Sequence, residues 1–133
     1  MSYSLVKNLD TWDLPLVGLA VSRCFVDAAF GIQFFVPDAE FELRIESTFL
    51  LRNADDLVLS MDPEKPSTLG PALVLFKAEV SLARACKDGR LDVCFRNGFG
   101  IHVDPCEQFE AWEFVGNQQR VVSIAGGDLA VWL

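Results

Sequence analysis

His102 is the chain's single histidine, and in a strand it shares a face with Gly100 and Asp104, opposite Phe99, Ile101 and Val103. A general base needs an acid to orient it and a nucleophile within reach. Asp104 could orient the ring. Cys94, on the preceding strand of the same hairpin and in the same polar phase, could be the nucleophile. Such a Cys-His-Asp set would make a hydrolase-like enzyme, but no local nucleophile signature accompanies it. The expectation is therefore an exposed or hydrogen-bonded strand histidine, no catalytic residue and no enzyme.

The same histidine belongs to a second constellation, Cys86, Cys94, His102 and Cys106, with spacings C-x7-C, C-x7-H and H-x3-C. Tight zinc turns use a C-x2–4-C knuckle, which is absent. With Cys24, these cysteines read as reduced thiols that pack like small apolar residues. Gly116, Gly126 and Gly127 have no helix behind them, and neither G-x-G-x-x-G nor a P-loop occurs, so phosphate cradling has no support. No metal and no cofactor is expected.

Acidic pairs are abundant, but neighbours on a strand point to opposite faces and make no dyad. Glu110-Ala111-Trp112-Glu113 stands apart, because Trp112 shares its phase with both Glu110 and Phe114. Trp112 is then either a core ring or a surface anchor flanked by carboxylates. The candidate binding residues are Glu110, Trp112, Glu113 and His102.

The elements that would position these residues are mostly strands. The clearest runs from Glu40 to Phe49: Phe41, Leu43 and Ile45 fall on one face, and Glu40, Glu42, Arg44 and Glu46 on the other. Further strands are expected at Leu19–Val26, Phe30–Val36, Leu57–Met61, Glu79–Cys86, Arg90–Phe95, Phe99–Asp104, Glu110–Val115, Val121–Ala125 and Leu129–Leu133. Asn97-Gly98 is the strongest hairpin signal, and Gly116-Asn117 and Gly126-Gly127 mark further turns. One short helix is expected, over about 68–77, with Ser67 as N-cap and Leu69, Leu73 and Phe76 on one face.

The chain also carries a degenerate repeat. Ile32, Phe34 and Val36 match Leu91, Val93 and Phe95; Phe41, Leu43 and Ile45 match Phe99, Ile101 and Val103. A single domain over 1–133 follows, with internal halves of about 15–61 and 76–125 linked by the helix. Each half would be a meander with one apolar face. The expected fold is mainly β, a β-sandwich or partly open barrel of two similar meander halves with one short helix.

The 133 residues carry 19 acidic and 11 basic side chains, a net charge of −8. That balance repels phosphate backbones, so nucleic-acid binding is excluded as a function class. No apolar run reaches the ~20 residues of a membrane helix, and Met1 to Ser4 lacks the start of a secretory signal. No membrane association and a cytoplasmic location are expected. A mean hydropathy of +0.28 makes a homodimer an expectation as well.

The C-terminal stretch carries a motif: Phe109 to Gly116 with Glu110, Trp112 and Gly116, then Arg120 to Ser123, then Gly126-Gly127-Asp128-Leu129-Ala130-Val131-Trp132. It resembles the ending, E-x-W…G-G-x-L-A-V-W, of a family of small uncharacterised bacterial β-rich proteins, a domain of unknown function. Leu43-Arg44-Ile45-Glu46 and Leu59 to Pro63 are similar to its earlier part. The resemblance supplies neither an activity nor catalytic residues. The functional expectation is a non-enzymatic protein-binding module of immunity or inhibitor type, facing a basic partner or itself. The alternative is a small-ligand binder with a cavity between the two β halves.

Overall fold

Alternation along Ala39–Ile45 buries Phe41, Leu43 and Ile45 and turns Glu40, Glu42 and Arg44 outward. The same rule shapes the rest of the molecule, a computed structural model that describes residues 3–133. The described strands are β1 (Val6–Lys7), β2 (Thr11–Asp13), β3 (Arg23–Val26), β4 (Phe30–Val36), β5 (Ala39–Ile45), β6 (Phe49–Arg52), β7 (Val58–Met61), β8 (Val80–Cys86), β9 (Leu91–Phe95), β10 (Gly100–Val103), β11 (Trp112–Gly116), β12 (Gln119–Ser123) and β13 (Leu129–Trp132). They form a seven-stranded sheet, β1-β2-β8-β9-β10-β6-β7, and a six-stranded sheet, β13-β12-β11-β5-β4-β3, both antiparallel. Neither sheet closes into a barrel, so the arrangement is a sandwich.

The two halves do not each make one sheet. β3-β4-β5 lie in the six-stranded sheet, and the chain then crosses at 46–48 to lay β6-β7 in the other. β8-β9-β10 lie in the seven-stranded sheet, and the chain crosses back over 104–111 to lay β11-β12-β13 in the first. β11 thus pairs with β5 as β6 pairs with β10: Phe114 faces Leu43, and Leu51 faces Ile101. The hairpin registers also correct the repeat read from the pattern by two residues, since Phe30 faces Ile45 as Leu91 faces Val103.

The interior is filled by rings. Phe30 of β4 stacks on Phe49 of β6 at 5.6 Å between centroids, joining the sheets, and Phe41 stacks on Phe114 at 5.8 Å. Fully burying such a side chain contributes about 1.5–3 kcal/mol.

The helix is a 3-10 helix over Pro66–Leu75, beside β7 and β3. Its buried residues are Leu69, Ala72 and Leu75, while Leu73 and Phe76 are exposed, unlike the expected face. The reason is the period: three residues per turn stack i, i+3 and i+6. Pro71, inside the helix, has no N–H and would clash with an α-helical i−4 carbonyl. Ser67 is not its cap; Thr68 Oγ1 instead accepts from the Asp62 amide (2.8 Å) and lies 2.8 Å from the Lys65 carbonyl. No helix among the described residues is long and apolar enough to cross a membrane.

Candidate binding surface

Strands β9, β10 and β6 turn their odd-numbered residues inward, so the even ones form the outer face of the seven-stranded sheet. Pairing sets His102 between Asp92 and Leu50, and Gly100 between Cys94 and Arg52. His102 Nδ1 lies 2.7 Å from Asp92 Oδ1, and Nε2 lies 2.8 Å from Asp104 Oδ1. Partial burial lowers the histidine's pKa, but the hydrogen bonds and charges of the two carboxylates outweigh it, and the net shift is upward. The ring is clamped from both sides by carboxylates, which favour its protonated form. Arg84, opposite Asp92, reaches Asp13 at 3.1 Å and continues the alternation of charge across the sheet.

This clamp removes the geometry of a Cys94–His102–Asp104 set. Both ring nitrogens face carboxylates, and neither is hydrogen-bonded to the thiol. Cys94 Sγ instead lies 3.9 Å from Arg52 Nη2. Asp92 is the partner the sequence reasoning missed; the register following Asn97-Gly98 was the signal for it. Among the described residues no three His, Cys, Asp or Glu groups are placed to hold a metal ion.

Arg52 lies across Gly100, where a Cβ would come within 2.9 Å of Nη2. The missing side chain leaves a shallow depression of about 130 Å³ bordered by Leu50, Val58, Cys94 and His102.

Of the other three candidates, Trp112 and Glu113 lie on the six-stranded sheet and Glu110 in the crossover just before it; none joins His102. Trp112 is only 1% exposed, and its Nε1 donates to the Gly89 carbonyl at 2.8 Å. It is a core residue and not a surface anchor. β11 begins at Trp112, so Glu110 is off the strand, and the shared phase holds only for Trp112 and Phe114. Glu113 points outward and is paired with Arg120, whose Nε lies 2.7 Å from Oε2 and whose Nη2 also contacts that oxygen. Glu110 is exposed in the crossover and, with Trp112, Glu113, Arg44 and Glu46, lines a depression of about 110 Å³, so the structure does bring these three candidates together.

A different element exposes what a partner could grip. β7 pairs only with β6 and forms one end of its sheet. Leu57, Val58 and Leu59 are 63%, 56% and 42% exposed. The Asn53 amide donates to the Leu57 carbonyl at 2.8 Å, so Leu57, Leu59 and Met61 aim their backbone groups at β6. By alternation Val58 and Ser60 aim theirs outward. Asp55 and Asp56 precede the strand; Asp62 and Glu64 follow it. In sequence Leu57–Met61 reads only as a strand, and nothing in its pattern marks it as an edge.

Charge is distributed unevenly. Among the described residues, nine carboxylate side chains lie in ion pairs, which engage His102 and every arginine except Arg23. The other ten carboxylates have no such partner among the described residues, and Asp55, Asp62 and Glu64 beside β7 are among them.

A search of curated proteins finds no match, and neither does a search of solved structures. A family model matches residues 12–133. The chain belongs to that family, described as a family of unknown function (DUF6188).

Proposed function

We propose that this member of a family of unknown function is a non-enzymatic protein-binding module, of immunity or inhibitor type, that holds a basic partner protein. The observation that carries the reading is the surplus of unpaired carboxylates around exposed apolar side chains, with nearly all the arginines already engaged by acids of the same chain. Such a surface attracts positive charge from a distance and offers apolar area on contact. The clamped histidine supports the non-enzymatic part, since its ring nitrogens are committed to Asp92 and Asp104.

The test is capture of partners by the tagged full chain from lysate of its native host, washed at low and at high salt. One dominant, near-stoichiometric basic protein, released as salt rises, is the expected result. Capture of nothing at micromolar bait concentration overturns the reading.

A further inference from the structure

An edge strand offers unpaired N–H and C=O groups to any other extended chain. Natural proteins blunt such edges with lysine, proline, bulges or very short strands. β1 has two residues, one of them Lys7, and β3 begins with Arg23. The Trp132 ring on β13 lies under the Arg120 guanidinium, 4.9 Å from its centroid. β7 itself carries no lysine, no proline and no bulge. Its residues are Val58, Leu59, Ser60 and Met61, in regular register with β6.

We propose that β7 is a docking strand: an extended segment of a partner protein, apolar at its centre and basic at both ends, adds to the seven-stranded sheet alongside Val58 and Ser60. This rests on the binding-module reading and gives it a place and a mode. The backbone groups of Val58 and Ser60 supply the hydrogen-bond ladder, and the exposed Val58 and Leu59 flank it on the two faces.

Charge decides the occupant. A second copy pairing antiparallel about Leu59 would set Asp56 of each chain against Asp62 of the other. Like charges directly opposite one another are destabilising, and each copy already carries −8. A segment with lysine or arginine beyond its apolar centre meets Asp55 and Asp56 at one end of β7 and Asp62 and Glu64 at the other.

The probe is a nine-residue synthetic peptide of alternating valine and threonine flanked by lysine pairs, titrated into the isotopically labelled full chain. A matched peptide with glutamate in place of lysine is the control. The expected result is saturable binding, with the largest amide shifts and slowed hydrogen exchange at Val58 and Ser60. The glutamate peptide should bind at least about tenfold more weakly, a difference of about 1.4 kcal/mol. The Val58→Pro variant removes one outward N–H at an edge position where proline is tolerated, and should abolish binding while its circular dichroism stays native. Should Val58→Pro not fold, Asp62→Lys/Glu64→Lys is the second variant, and weakened binding of the lysine peptide is expected.

No binding at millimolar peptide overturns the proposal. So does dimerisation of the chain through β7, or peptide binding that neither variant reduces. Lysine-peptide shifts centred on Asp38–Glu42 or on Glu107–Glu110 also overturn the docking strand, yet leave a basic-partner module standing. Salt-sensitive lysate capture by Val58→Pro at the wild-type level has the same meaning.

Discussion

Phe25 sits opposite Gly31 in the β3–β4 pair, with its ring over the glycine. A Cβ built at position 31 would overlap ring atoms Cε1 and Cζ. Gly31→Ala must therefore push the ring aside. A fully buried phenylalanine is worth about 1.5–3 kcal/mol, so displacing this half-buried one costs about 1–2 kcal/mol. Against that, alanine is favoured over glycine within a strand by about 0.5–1 kcal/mol. Gly31→Ala alone should then destabilise the protein by about 0.5–1 kcal/mol. In a Phe25→Ala background the overlap is gone, and the same substitution should stabilise by about 0.5–1 kcal/mol. The coupling across the cycle is about 1–2 kcal/mol, well above the additivity error for distant sites. Urea unfolding of the four proteins, followed by tryptophan fluorescence with m-values compared, measures it. The same sign for Gly31→Ala in both backgrounds would refute the reasoning.

Three further outcomes are expected. Trp112→Phe should cost about 1–2 kcal/mol, from a lost hydrogen bond and a smaller ring. Because Ser123 Oγ also donates to the Gly89 carbonyl, at 2.9 Å, Trp112→Phe/Ser123→Ala should cost more than the two single changes together, read by denaturant unfolding. The raised pKa of His102 means that its pairing contributes fully below the unfolded value of about 6.5 and is lost as pH rises through the folded value. The melting-temperature gap between wild type and His102→Gln should accordingly be wider near pH ~5.5 than near pH ~8.5. An NMR titration of His102 should give a midpoint that falls in Asp104→Asn. Burial pushes the Cys24 thiol up, so at pH ~8 it should alkylate more slowly than free cysteine, and equally fast once the chain is unfolded in urea.

Where the period was two and one face was wet, the sequence was readable. Phe41, Leu43 and Ile45 are buried as their alternation requires, and the Asn97-Gly98 turn joins the β9–β10 hairpin. Residues 40–49 read as a single strand because both sheets face one core. The inward phase runs on through the buried Ser47 to Phe49, although the chain changes sheet there. β1 and β2, of two and three residues, are too short for any alternation to register. At the candidate site, phase correctly set His102 beside Asp104. Phase alone could not rank Asp92 above Cys94, because that takes the hairpin register, which sets His102 opposite Asp92 and Gly100 opposite Cys94. Trp112 misled because a phase argument holds only within a strand, and Glu110 lies before β11 begins.

The exchange of strands between the halves also bears on how the chain is made. On the ribosome, β5 emerges with β4 on one side and nothing on the other until β11 has been translated. β6 likewise waits for β10. From Ile45 to Gly116 the delay is roughly 4–14 s at ribosomal elongation rates of about 5–20 residues per second. For that time the nascent amino-terminal half carries two open sheet edges, along β5 and β6, that the finished protein conceals. Unpaired strand edges of this kind make an incomplete chain prone to aggregate. Separately produced halves, divided near the 3-10 helix, should each remain unfolded and recover the sandwich on mixing, because each completes the other's sheets.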